Sequence, residues 1–268
     1  MDKLHLILLG IIQSEPNTSI DYQIAHYLLT HIEDLNEISS SKLAEICHVS
    51  KASISRFCRR IGLKDFHELK ILFNHYIPNQ SKFNFTNHSN ENDSLKQYID
   101  TIQFHLNSLK ENIDWDILDE LTEDIHKYKH VIIAGSFQSN SVCLNLQLNL
   151  FSSGKITETK IRFSDLVDTI KAADQNSLLI VLSTNGRFFD RLIGHALITL
   201  DHDWPRTYLI TATAKTNRYP FVYKTLHIHA PADYASGNIQ IEIIANLIAL
   251  HYSHKHQNNT FISLPNSL

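Results

Sequence analysis

Cysteine, proline and glycine are all scarce: 3, 6 and 7 residues in a chain of 268. Cys47, Cys58 and Cys143 are odd in number, widely spaced and include no Cys-x-x-Cys pair. That excludes a disulfide framework and predicts reduced thiols serving as small core residues. So little Gly and Pro excludes a collagenous or disordered chain. No apolar run approaches the ~18 residues that a membrane span needs. The nearest, Leu4 to Ile12, follows Asp2, contains His5 and has no small-residue cleavage site behind it, so a targeting signal is not expected. A cytoplasmic protein is expected. The formal charge of -4 excludes a uniformly basic coat for nucleic acid but leaves room for a local basic patch. What the chain does have is apolar residues, at 43%, enough to bury one large core or two ordinary ones.

The apolar rhythm changes once. Up to Ile77 the spacing is helical throughout, as in Leu4, Ile7, Leu8, Ile11 and Ile12 and again in Ile20, Ile24, Tyr27, Leu28 and His31. Residues 78–93 are polar, Asn-rich and opened by Pro78, which predicts a linker, with Phe83 and Phe85 able to dock on a neighbour. From Ser94 two helices are predicted, the first opened by a Ser94/Gln97 capping box and the second spanning Asp114 to Tyr128. Thereafter five strand-like runs (His130–Ala134, Lys155–Phe163, Leu178–Leu182, Thr207–Thr211 and Thr225–His229) alternate with helical stretches. Alternation of this kind predicts a five-stranded parallel sheet covered by helices on both faces. The expected organisation is an all-helical domain over 1–77, the linker, and an α/β sandwich over 94–268.

Within the first domain, two short helices, Ser41–Cys47 and Lys51–Ile61, are joined by only His48, Val49 and Ser50. This is the helix-turn-helix arrangement, whose second helix enters the DNA major groove by its N-terminal end. Leu43, Ile46, Val49, Ile54, Phe57 and Ile61 make the apolar face. Ser50 caps the second helix, and Gly62 stands where a left-handed residue ends it. The outer face carries Lys51, Ser53, Ser55, Arg56, Arg59 and Arg60, a local cationic stripe suited to phosphate. Ser53 and Arg56 are the candidates for base-edge or adjacent phosphate contact, and Lys51, Arg59 and Arg60 for phosphate contact alone. A solvated bundle face would also be charged, so the charge alone does not decide between them.

The run from Leu43 to Lys70 closely resembles the helix-turn-helix of the RpiR/MurR family of transcriptional regulators. It keeps Leu43-Ala44, Val49-Ser50, Ile54, Arg56-Phe57, Gly62, Phe66 and Leu69-Lys70, with Ser53 in place of the usual Thr. The resemblance implies a double-stranded DNA operator as partner, and a homodimer or homotetramer. It also implies a C-terminal sugar-isomerase (SIS) domain that binds a phosphosugar effector.

In the second domain, an open parallel sheet with strand order 2-1-3-4-5 would hold a ligand beyond the carboxyl ends of its first and third strands. Both loops there are rich in hydroxyls: Gly135-Ser136-Phe137-Gln138-Ser139 and Ser183-Thr184-Asn185-Gly186-Arg187. Each leads into a helix, and hydroxyls with free N–H groups at helix starts make an anion site. The candidates are Ser136, Ser139, Ser183, Asn185, Gly186 and Arg187. Against the SIS pattern, Gly135, Ser139, Ser183 and Gly186 match, whereas Phe137, Asn185 and Phe188 replace a glycine, a serine and a threonine. Gly135 stands without a G-x-G-x-x-G, so a dinucleotide is not expected, nor any other cofactor.

Histidine is plentiful, at 17 residues, but scattered; His227/His229, His254/His256 and the Cys47, His48, Cys58, His67 set all lack ligand spacing for a metal. No nucleophile–base pair can be named. The leading expectation is a non-enzymatic DNA-binding regulator controlled by a phosphosugar. The alternatives are a regulator whose SIS-like domain only dimerises, and a phosphosugar isomerase or etherase on the same fold.

Overall fold

Apolar spacing of three and four residues sets the first part of the chain, and the computed structural model turns it into helices. It describes residues 3–31, 38–61, 63–74, 91–135, 139–196, 203–213, 219–228 and 237–256. Gly62, Phe83, Phe85, Ser136, Phe137, His202, His229 and most of the expected linker lie outside these. The chain divides into two compact units, Met1–Lys82 and Phe83–Leu268.

The first unit contains α1 (Lys3–Ser14), α2 (Ile20–Thr30), α3 (Ser40–Ile46), α4 (Lys51–Arg60) and α5 (Phe66–Asn74). The apolar run at the chain start is core: Leu4 and Leu8 are buried with Ile24, Leu28, Leu43, Ile54, Phe57 and Leu69. Serines open three of the helices. Ser19, Ser39 and Ser50 each accept from the backbone N–H three residues on, at 3.1 Å. Such caps are worth about 1 kcal/mol each.

The second unit opens with α6 (Glu91–Asn112) and α7 (Trp115–Lys127). Because α6 already begins at Glu91, Ser94 is a helical residue and not the expected N-cap. Asp114 does cap α7, accepting from Ile117 N–H at 3.0 Å. Strands β1 (His130–Gly135), β2 (Ser177–Leu182), β3 (Arg206–Thr211) and β4 (Lys224–His227) follow, with α8 (Ser139–Ser152), α9 (Phe163–Ala172), α10 (Phe188–Ala196) and α11 (Gly237–His256) between and after them. The four strands are parallel and lie in the order β1-β2-β3-β4.

Both faces of the sheet are buried, which is why its strands read as unbroken apolar runs. Val131, Ile133, Ile180 and Tyr208 face the layer of α7, α8 and α11, while Ile132, Ala134, Val181 and Leu209 face α9 and α10. One helical contact is tight enough to demand glycine. A Cβ on Gly135 would lie 2.7 Å from Cys143 Sγ and 3.0 Å from Ser139 Cβ, so α8 approaches the end of β1 only because that residue is Gly.

The expected fifth strand, Lys155–Phe163, does not form. Only Glu158 pairs with β1, its O accepting from Ile133 N–H and its N–H donating to Val131 O, both at 2.8 Å. This segment lies on the β1 edge, where the order 2-1-3-4-5 would put it, but its centre is Thr-Glu-Thr-Lys with no apolar side to bury. Ile156 and Ile161 are exposed. Glu158 instead holds His130 at 3.0 Å and Lys160 at 2.9 Å.

Polar groups tie α7 to the far edge. The buried Asp124 accepts from Arg206 Nε at 2.5 Å and Tyr208 OH at 2.7 Å, and Glu120 accepts from Arg206, Tyr223 and Lys224. On the α7–α11 seam the rings of His126 and His256 stack at 4.0 Å, with Tyr252 against His256. Asp119 and Glu123 of α7 and His251 and Lys255 of α11 surround them. Burial first, and then the neighbouring His126, hold His256 below its ordinary value of 6.5. The unfolded chain therefore takes up that proton before the folded one, and stability falls as pH drops through the mid-6 range. The melting temperature should be lower at pH 5.5 than at pH 7.5, and His256→Phe, which keeps the stack, should shrink that difference.

Candidate functional site

The turn between α3 and α4 closes on backbone bonds. Val49 N–H donates to Ala44 O at 2.9 Å and His48 N–H to Glu45 O at 3.1 Å, which is the Schellman pair. That ending needs a left-handed residue, and His48 takes it, with φ of 53°. Ser50 then starts α4 at once, its Oγ accepting from Ser53 N–H at 3.1 Å and lying 2.9 Å from Ser53 Oγ. At the far end of α4, Leu63 N–H donates to Cys58 O at 2.9 Å, the longer bond of the same motif.

The six sequence candidates on α4 separate in the structure. Lys51, Arg56, Arg59 and Arg60 are exposed and Ser55 is half-buried. Ser53 is turned inward, 5% exposed, and its hydroxyl accepts from Arg56 Nη2 at 3.2 Å. It steadies the cap and the Arg56 side chain and does not face solvent. Arg60 is engaged by Asp21 of α2. Asp65 and Glu68, the acids beside the stripe, are held at the start of α5. Asp65 accepts from His67 and Glu68 N–H at 2.9 and 3.0 Å, and Glu68 accepts from Lys64 N–H at 2.7 Å.

In the second unit, Gly135 and Leu182 are register partners at the carboxyl ends of β1 and β2, so the two candidate loops leave the sheet side by side. Ser183 Oγ accepts from Phe188 N–H at 3.3 Å and Asn185 Oδ1 from Arg187 N–H at 3.1 Å. Both side chains cap α10, yet the Ser183 hydroxyl hydrogen and the Asn185 amide hydrogens remain donors. Gly186 has φ of 67°, and a Cβ there would meet Thr213 Cγ2 at 2.5 Å. Ser139 and Ser183 are buried while Asn185 and Arg187 are exposed. Phe188, at the position of a threonine in the SIS pattern, points into the apolar layer, where it meets Phe163 and Phe189 edge to face. It does not crowd the loops.

A family model of the helix-turn-helix domain, rpiR family, matches residues 8–80. The first unit is an rpiR-family helix-turn-helix domain. An uncharacterized HTH-type transcriptional regulator of Caldanaerobacter subterraneus is 50% identical over 54 residues, which is 20% of this chain and 19% of that protein. The match thus spans about a fifth of the curated relative's length. Among solved structures, the NanR protein of Vibrio vulnificus complexed with ManNAc-6P is 16% identical over 94% of this chain and 93% of its own, with a TM-score of 0.46. The sugar isomerase domain of the RpiR transcription factor from Sphaerobacter thermophilus is 16% identical over 60% and 88%, with a TM-score of 0.44.

On the rpiR-family domain, one exposed residue escaped the sequence reading. Ala52 shares the outward stripe with Ser55, Arg56 and Arg59, at the three- and four-residue spacing that marks one helix face. Helix periodicity places it on that face, although its methyl group gives no polar signal in the sequence. A cleft of 270 Å³ between α2 and α3, lined by Tyr22, His26, Tyr27, His31, Ile46 and Cys47, was likewise unforeseen. Its rings stack along α2, Tyr22 on His26 and Tyr27 on His31, and burial pushes the Cys47 thiol up, away from reactivity. The left-handed His48 gives the domain a direct test. His48→Gly should stabilise it by about 0.5–1 kcal/mol, since the Cβ penalty at positive φ exceeds the added chain entropy. A urea titration followed by circular dichroism measures it.

Proposed function

We propose that this protein is a DNA-binding transcriptional regulator whose rpiR-family domain holds a double-stranded operator and whose parallel-sheet unit senses a phosphorylated sugar. The observation that carries the first part is the exposed face of α4, where Lys51, Ala52, Ser55, Arg56 and Arg59 surround a capped helix start. Ser55, Arg56 and the Ala52 methyl suit base edges in the major groove; Lys51 and Arg59 suit phosphates. Ser53 acts through Arg56, and Arg60 is committed to Asp21. The rpiR-family domain favours regulation over sugar isomerisation for the whole chain. Action in the cytoplasm and assembly as a homodimer or homotetramer belong to the same reading, because a two-fold operator matches a two-fold protein. No described helix is long and apolar enough to cross a membrane.

Fluorescence-anisotropy titrations against an operator selected from random duplexes test it. Arg56→Ala should cost about 1–3 kcal/mol and relax base preference at one position. Arg59→Ala should weaken all sequences alike and reduce the salt slope by about 1. Arg60→Ala should change affinity far less than either. Unchanged affinity in both Arg56→Ala and Arg59→Ala would remove α4 from the operator.

The effector reading rests on the paired loops at the carboxyl edge of β1 and β2. Ser139, Ser183 and Asn185 supply neutral donors, the Gly186 backbone lies beside them and Arg187 supplies charge; Ser136 belongs to the same loop by sequence. A neutral hydroxyl contact is worth about 1 kcal/mol and a charge-assisted one about 1.5–3. Arg187 should therefore dominate. A thermal-shift screen of sugar phosphates should raise the melting temperature for at least one, and Arg187→Ala should abolish that shift. A flat response across the panel would leave the unit with an assembly role alone.

A further inference from the structure

Helix α8 has no charged residue among its 14 and is apolar on both sides. Val142, Cys143, Leu146 and Leu150 are buried against the sheet layer. On the opposite side Leu144, Leu148 and Phe151, at i, i+4 and i+7, are 40%, 61% and 63% exposed. Seven of its 14 residues are Ser, Asn or Gln, yet this outer apolar stripe has no cover among the described residues. Helix α11 runs beside it in the same direction, pinned by Asn145 Nδ2 to Glu242 Oε1 and Asn149 Nδ2 to Asn246 Oδ1, both at 3.1 Å. It extends the stripe with Leu250, 53% exposed.

We infer that the α8–α11 face is where two copies of this chain pair about a two-fold axis. The inference rests on the homodimer reading above and adds which surface forms it. Charge selects the occupant. A two-fold contact lays a surface against itself, so any net charge on it would meet its like. The exposed side of α8 carries none; Glu242 on the seam keeps its negative charge but is drawn toward α8 by Asn145, so it belongs at the margin of the contact and away from the two-fold axis. A lipid surface or a nucleic acid would be met by basic residues around the stripe, which α8 does not have. A different acidic or basic protein would be met by complementary charge, also missing from it. An uncharged leucine and phenylalanine stripe framed by amides is complementary to a copy of itself.

Sedimentation velocity on the full chain from about 1 to 100 µM, a range set by ordinary dimer affinities, gives the test. The wild type should be at least dimeric. Leu148→Glu and Phe151→Glu should each raise the dissociation constant by about 100-fold or more, since each dimer buries the new charge twice. The uncharged Leu148→Gln should raise it by about 10-fold, and Leu148→Met should leave it unchanged. The substituted side chains are exposed, so circular dichroism should match the wild type throughout. A monomeric wild type would overturn the homodimer reading itself and leave the face to another partner. Dimers that persist in both Glu variants and in Leu148→Gln would overturn the face while sparing the homodimer.

Discussion

Every α-helix starts with four amide N–H groups that have no partner within the helix, and at two helix starts of this protein the side chains that satisfy them stand among or beside the candidate ligand residues. Ser50 and Ser53 share the start of α4, and Arg56 rests on Ser53. Ser183 and Asn185 do the same at the start of α10. Capping and recognition are therefore not rival uses of a hydroxyl. A hydroxyl that accepts from the backbone is fixed in place with its hydrogen still to give, and an anion asks for that hydrogen. What burial beside the cap removes is reach. Ser53 cannot meet a base edge from its buried position, so on the proposed operator that task would fall to Arg56, which it supports.

The elements that were legible from sequence are those in which one period runs without interruption. The runs His130–Ala134, Leu178–Leu182 and Thr207–Thr211 each match their strand to within one residue, because their side chains are buried on both faces of the sheet. The run Lys155–Phe163 does not become a strand, because β-branched residues are not enough. Without an apolar side the run stays on the edge and contributes one bridge at Glu158. Ser94 looked like a cap because serine and glutamine stand at the right spacing, but α6 had already begun at Glu91. Local patterns also cannot foresee partners distant in the chain. From sequence Arg60 reads as available for phosphate, whereas Asp21, 39 residues away, lies beside it. Phe188 looked like a lost hydroxyl when it was a gained core residue.

The same distant pairing answers how a chain of net charge -4 can present a basic helix. Acids around the stripe are held in fixed bonds: Asp21 to Arg60, and Asp65 and Glu68 to the backbone at the start of α5. Their charge still contributes to the long-range field, which salt screens beyond about 10 Å. At the helix surface the close positive charges of Lys51, Arg56 and Arg59 prevail over it, because contact distances lie inside that length. Binding that depends on so few cations over an acidic background should be steeply sensitive to position on the duplex and modest in its total counterion release.

Helix α8 connects the two proposed properties of the sheet unit. Its first residue, Ser139, lies at the candidate effector loops, and its outer side carries the proposed two-fold stripe. Between them the helix is held hard against the sheet, since Gly135 leaves no gap beneath Cys143 and Ser139. A ligand that draws Ser139 toward a phosphate therefore acts on a rigid rod and not on a loop. A displacement at its start would pass along the helix toward Leu148 and Phe151, and the Asn145 and Asn149 bonds join the helix to α11. Coupling of this kind need supply only about 1–3 kcal/mol to change an assembly equilibrium by 5- to 150-fold. Reciprocity then requires that assembly alter effector affinity by the same factor, so effector affinity would depend on protein concentration across the assembly range.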